Sequence, residues 1–277
     1  MLRLRIATAL VAGAVVLAAI FLLPPGRLAL AAIAVTVLAA WEWGRLAACP
    51  GTTARAAYAA AVGAIGLAAW WLAPAVAIGW LAAALLFWCA VAIWLLAGGG
   101  PRVTGATGIR WGWLLAGCLL LPSLALALAV LGQRADWLDR ALLLYAVGVV
   151  WAADIGAYFA GRARGRHKLA PRVSAGKTRE GLWGGVAAVA GYAAVGAWAF
   201  GVPGGAWLPW LMVALAAGLL SVAGDLLESV LKREAGVKDS GALLPGHGGL
   251  LDRIDSLIAA TPVMVLGLAL MGRVALP

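Results

Sequence analysis

Apolar runs of about twenty residues recur along the chain, each long enough to cross a ~30 Å hydrocarbon core as an α-helix. Nine can be drawn, at about 5–23, 28–48, 56–74, 76–97, 110–131, 139–160, 181–200, 206–231 and 250–272. Most connections are short, but two late ones, 161–180 and 232–249, are long and polar. The pattern predicts an all-α polytopic integral membrane protein with about nine transmembrane helices. The first run follows Arg3 and Arg5 and ends at Pro24-Pro25-Gly26-Arg27. Its length suits a span better than the short apolar core of a cleaved leader.

Composition agrees with the pattern. The chain is 65% hydrophobic and 12% charged, with a mean hydropathy of +1.00, outside the range of soluble domains. The net charge of +10 gains meaning once placed on a topology. With the N-terminus cytoplasmic, seventeen of the twenty-one Lys and Arg residues fall inside, leaving Arg27, Arg134, Arg140 and Arg273 outside. That bias fixes the orientation and favours an odd number of spans. The basic residues lie in short loops at the membrane, so anionic head groups or nucleotide phosphates are nearer partners than nucleic acid. Cys49, Cys89 and Cys118 have no metal-binding or disulfide spacing and are assigned to packing. Trp41, Trp43, Trp94, Trp111, Trp113 and Trp137 lie near span ends, as an aromatic belt would.

The two halves differ. Residues 1–135 form N-terminal transmembrane helices with little that could do chemistry. Residues 136–277 form a C-terminal transmembrane region in which the loops 161–180 and 232–249 face one side. Eight of the eleven acids fall between 140 and 260. Asp154 sits within the sixth run, where an ionisable group is costly and defaults to a functional role. Glu42 lies nearer an interface and could serve as a partner of Arg45.

The eighth run places Ser221, Asp225, Glu228, Ser229 and Lys232 on one helical face, and the ninth opens with Asp252, Asp255 and Ser256 at i, i+3 and i+4. Paired carboxylates on two adjacent helices suit Mg²⁺, a hard cation that shares oxygen ligands with substrate phosphates. The alternative is simple pairing with Lys232, Arg233 and Arg253. The loop between the helices adds Lys238, Asp239 and Gly246-His247-Gly248-Gly249, and glycines ahead of a helix suit an anion. In the other loop, Ser174-Ala175-Gly176-Lys177-Thr178 has part of a phosphate-binding loop's chemistry. It lacks the leading glycine and the preceding strand of a P-loop fold. A glycine, a lysine and a hydroxyl at a helix start still suit a nucleotide phosphate; the alternative is a basic loop resting on anionic lipid.

The sequence at 229–255 combines Ser229, Lys232-Arg233, Lys238-Asp239, Pro245, His247-Gly248-Gly249 and Asp252-Arg253-Ile254-Asp255. Upstream stand Trp41-Glu42-Trp43, Asp154 with Gly156-Ala157-Tyr158, a Gly-Arg-His-Lys-Leu-Ala-Pro run at 165–171, and the segment 174–181. Together they resemble the phosphatidate cytidylyltransferase family, the integral membrane CDP-diacylglycerol synthases, from about residue 40 onward. Ala175 departs from the family's frequent proline. The resemblance implies a nucleotidyltransferase of phospholipid biosynthesis in a bacterial inner membrane, with its active site facing the cytoplasm. It would convert CTP and phosphatidate to CDP-diacylglycerol and pyrophosphate, with Mg²⁺ and room for a second cation, and as a homodimer. It implies Asp225 and Asp252 as first metal ligands, supported by Glu228, Asp239 and Asp255. Lys232, Arg233, Lys238 and His247 join the two aspartates as catalytic groups. Ser174, Lys177, Thr178, Glu180, Gly248, Gly249 and Arg253 would bind substrate. Two other classes remain open: a CTP-dependent polyprenol or phytol kinase, releasing CDP, and a cation-coupled transporter. Transport predicts binding groups near the midplane in both halves, whereas here they cluster in one.

Overall fold

The structure, a computed structural model, describes residues 2–101, 108–133, 136–243, 246 and 248–276. Among them nine α-helices follow the nine apolar runs: α1 (Leu2–Leu22), α2 (Pro25–Leu46), α3 (Gly51–Trp71), α4 (Ala73–Leu96), α5 (Trp111–Leu131), α6 (Trp137–Arg164), α7 (Arg179–Ala199), α8 (Trp207–Glu234) and α9 (Leu251–Leu270). Seven of them, α2 and α4 to α9, are long and apolar enough to cross a membrane. In α1 the described apolar stretch is shorter, Leu10–Leu22. Alanine, glycine and the polar opening Thr52-Thr53-Ala54-Arg55 dilute α3.

One expectation needs correction. The segment 161–180 is not a loop throughout. Helix α6 runs on to Arg164, and an antiparallel hairpin follows, β1 (Lys168–Ala170) and β2 (Ser174–Thr178). The fold is therefore helical with a small two-stranded insert. A three-residue pairing leaves no periodic signature in sequence; it exists because Ala170 meets Ser174 across the turn.

Local chemistry explains the helix ends. Pro25 starts α2 at a position where its missing N–H costs nothing. Helix α8 closes on Gly236, at φ +69°, with Val237 N–H donating to the Lys232 carbonyl at 2.9 Å. At 28 residues α8 is ~42 Å long, more than the hydrocarbon core requires, so its charged last turn can reach beyond it. Helices α6 and α7, joined by the hairpin, pack through small residues. A Cβ on Gly156 would stand 2.6 Å from the Gly184 carbonyl oxygen, and one on Gly185 would stand 2.9 Å from that of Ala153. In a membrane such close van der Waals packing, rather than water exclusion, holds helices together. Gly156→Val should therefore cost about 1–3 kcal/mol by overpacking, read as a lower thermal unfolding midpoint in detergent. An unchanged midpoint would mean the contact is looser than described.

Two large apolar clusters make most of the core. One joins Ile20 of α1 and Leu28 of α2 to α4 through α9 and includes Leu81, Leu143, Val149, Ala193, Trp210 and Val265. The other joins α2 to α5 with the end of α8 and the start of α9, through Trp43, Trp88, Leu120, Leu227, Leu231 and Leu251. That second cluster lies directly beneath the acidic residues singled out above. Trp43 corrects the belt reading: it is buried, and its indole N–H donates to the Trp113 carbonyl at 2.7 Å. Trp113 is likewise engaged, donating to Glu234 Oε2 at 2.9 Å, whereas Trp111 and Trp137 are exposed as a belt requires.

Candidate active site

Helices α8 and α9 meet where Gly224 faces Asp255. A Cβ on Gly224 would lie 2.5 Å from the Asp255 carbonyl oxygen, so a glycine is needed for this approach. The approach brings the two sets of carboxylates together. Lys232 forms an ion pair with Glu228 one turn earlier and reaches Asp252 Oδ1 at 2.7 Å. Asp252 Oδ2 accepts from the backbone N–H groups of Ser240 and Gly249 at 3.0 and 2.8 Å, and lies 2.9 Å from the Ser240 hydroxyl. Glu228 is 2% exposed. Asp255 interacts electrostatically with Asp225, Lys177 and Lys232, and accepts at Oδ1 from its neighbour's N–H, Ser256, at 2.7 Å.

The hairpin delivers a second cation. Strand β2 carries Lys177 to Asp225, with Nζ 2.7 Å from Oδ2 and 3.4 Å from the Val222 carbonyl oxygen. Asp154 on α6 lies within electrostatic reach of both Lys177 and Asp225. Residues far apart in sequence, at 154, 177, 225–232 and 252–255, thus form one charged cluster. Five carboxylates outnumber two lysines in it, an arrangement that attracts further cations and, through them, phosphates.

Other expected site residues stand elsewhere. Arg233, Lys238, Asp239 and Arg253 are exposed around the rim. Ser174 pairs with Ala170 beside the turn of the hairpin. The Thr178 hydroxyl caps α7, accepting from Gly181 N–H at 3.1 Å. Glu180 accepts from the backbone N–H groups of Arg166 and His167, at 3.1 and 3.2 Å, and its Oε1 lies 2.6 Å from His167 Nδ1. In this arrangement Thr178 and Glu180 brace the hairpin that holds Lys177. Gly248 has φ +87°, a conformation that favours glycine, while Gly249 spends its N–H on Asp252. His247 and Pro245 lie outside the described residues.

The model of the cytidylyltransferase family matches residues 3–271. The chain belongs to that family. Among its relatives, a phosphatidate cytidylyltransferase of Pseudomonas aeruginosa is 46% identical over 264 residues, covering 95% of each chain. One of Haemophilus influenzae is 50% identical over 133 residues, 44% of this chain and 43% of that protein. One of Bacillus subtilis is 43% identical over 141 residues, 50% of this chain and 51% of the relative.

The family implies a metal, and the donor set suits one. Among the described residues no three His, Cys, Asp or Glu side chains form a ready-made cation cage. The ammonium groups of Lys177 and Lys232 stand among the carboxylates instead. Yet the donors are carboxylate oxygens, the type Mg²⁺ takes, and Glu228 Oε1 is buried without a hydrogen-bond partner. Asp225, Glu228, Asp252 and Asp255 are the residues that fit.

Three residues, Glu42, Arg45 and Ser240, were not assigned to the site by sequence reasoning. Glu42, on α2, does not pair with Arg45. Its carboxylate accepts from Leu250 and Leu251 N–H, at 3.1 and 2.8 Å, and from the Ser240 hydroxyl at 2.9 Å. Arg45 instead donates to the carbonyl oxygens of Asp239 and Ser240, at 2.7 and 2.6 Å. Ser240 itself is fully buried. The only signal in sequence was the charged pair inside Trp41-Glu42-Trp43-Gly44-Arg45, since the partners lie about two hundred residues away.

Proposed function

We propose that this chain transfers CMP from CTP to phosphatidate, giving CDP-diacylglycerol and pyrophosphate, at the ends of α8 and α9. The observation that supports this best is the meeting of Lys177 with Asp225, which joins the hairpin to the two-helix carboxylate cluster. An oxygen of the phosphatidate phosphate attacks the α-phosphorus of CTP, and the bond to the β-phosphate oxygen breaks to release pyrophosphate. The attacking oxygen is already ionised at neutral pH, so no strong general base is required. The protein's task is to hold two anions in line and to meet the charge of the transition state. Lys177 and Lys232 supply fixed positive charge within the cluster, with Arg233, Lys238 and Arg253 at its rim to attract phosphates. Asp225, Glu228, Asp252 and Asp255 would hold Mg²⁺, and the ion would supply electrostatic stabilisation of the reacting phosphates. Chelation should therefore arrest turnover, and added Mg²⁺ should restore it.

The charge bias of the loops supports nine crossings with the N-terminus and the site on the cytoplasmic side of a bacterial inner membrane. The acyl chains of phosphatidate then stay in the bilayer while its head group enters the charged cluster. A homodimer rests on the family resemblance alone.

Label position in CTP tests the reaction. With phosphatidate as acceptor, label at the α-phosphate should enter the lipid and label at the γ-phosphate should leave as pyrophosphate. Transfer of the γ-label to a lipid alcohol would replace this reading by the kinase.

A further inference from the structure

Helix α9 begins without a cap of its own. Leu250 occupies the N-cap position and has no side chain able to accept from the free N–H groups of the first turn. Glu42 supplies the acceptor from a different helix. Its Oε1 takes Leu250 N–H and its Oε2 takes Leu251 N–H, at the end of the helix where the dipole favours negative charge. Glu42 is 4% exposed, deep for an ionisable residue, and so the partners of its carboxylate matter. The chain around it is shaped to admit it. A Cβ on Gly241 would run into the Glu42 carboxylate, and one on Gly249 into Glu42 and the Ser240 hydroxyl.

The contact continues to the cluster. Ser240 Oγ lies 2.9 Å from Glu42 Oε2 and 2.9 Å from Asp252 Oδ2, and it accepts from Asp252 N–H at 3.3 Å. With one proton, the hydroxyl donates to one carboxylate at a time and links the two. Asp252 Oδ2 is thereby occupied by groups from 240 and 249, and Oδ1 is left to face Lys232. Arg45, one turn beyond Glu42, grips the Asp239 and Ser240 carbonyls and fixes the same segment from the other side.

We propose that Glu42 and Ser240 are positioning residues for CMP transfer: through the start of α9 and the Ser240 hydroxyl they orient Asp252 so that only Oδ1 is presented to Lys232 and to a metal. This rests on the reaction proposed above. It makes α2, in the half of the chain with little chemistry of its own, a working part of the site.

The test uses the purified full-length chain with Glu42→Gln, Ser240→Ala and the double variant. Turnover of CTP with phosphatidate, Mn²⁺ binding by electron paramagnetic resonance and the unfolding midpoint are measured on each. Each single variant should lower kcat by ~10–100-fold and weaken Mn²⁺ binding by a similar factor, as loss of groups behind metal ligands does. KM for CTP should change little. The double variant should be no worse than the weaker single variant, because both act through the same carboxylate. Wild-type kcat and Mn²⁺ affinity in the single variants would overturn the proposal, as would losses that multiply in the double. If Glu42→Gln fails to fold, Ser240→Ala decides alone, since it removes a single oxygen. A wild-type chain that binds Mn²⁺ but does not turn over CTP with phosphatidate would reject the reaction. The Mn²⁺ titrations would then still judge the positioning.

Discussion

Asp252→Asn should reduce CMP transfer on the order of a thousandfold, the scale seen when one preorganised electrostatic group is removed from a transition-state site. The substitution keeps the shape of the side chain and removes its charge. Oδ2 now accepts from two backbone N–H groups and adjoins the Ser240 hydroxyl, while Oδ1 holds Lys232. An amide cannot meet both demands. If its oxygen serves the backbone donors, its NH₂ faces the Lys232 ammonium; if it turns, the NH₂ faces the N–H groups of 240 and 249. Lys232 is then left with Glu228, and the cluster loses one of the carboxylates suited to a metal. The loss should appear in kcat at saturating CTP, with the protein still folded, because the apolar face of α9 is untouched. Near-normal kcat would remove Asp252 from the chemistry.

Lys177→Met should lower kcat/KM for CTP by roughly a hundredfold or more, in the range for loss of one preorganised electrostatic group. Methionine keeps much of the stem and deletes the ammonium, leaving Asp225 facing Asp154 and Asp255 without that compensating charge. Lys177→Arg should recover only part of the loss. Nζ reaches Asp225 at 2.7 Å from a short strand, and a planar guanidinium occupies that space differently from a compact ammonium. Arg172, exposed at the turn of the same hairpin, is the control: Arg172→Ala should behave as wild type. Equal losses at 172 and 177 would mean that the hairpin acts by general positive charge rather than through one placed lysine.

Much of the helical framework was legible because a membrane helix is written locally. About twenty apolar residues between charged or proline-containing ends suffice, and each of the nine runs lies on a helix of the structure. The facing of Asp225, Glu228 and Lys232 was legible for the same reason, since helical spacing alone puts them on one side. The hairpin was not, because three paired residues carry no period and a basic segment reads as a loop. Thr178 and Glu180 show the related limit of motif reading. A hydroxyl and a carboxylate beside Lys177 suggest substrate contacts, yet here one caps α7 and the other staples residues 166–167 to it. Glu42 was the least legible. Which donors a buried carboxylate takes is decided by helix packing, and its partners at 240, 250 and 251 come from the far end of the chain.

Pyrophosphate release by the purified chain, given CTP, phosphatidate and Mg²⁺ and run beside Asp225→Asn and Asp252→Asn, tests the central claim most directly. Release that requires both substrates, matched mole for mole by lipid-linked CMP and lost in both variants, is the expected result. Release that proceeds without phosphatidate, or survives both substitutions, would contradict the account of the α8–α9 cluster as the site of transfer.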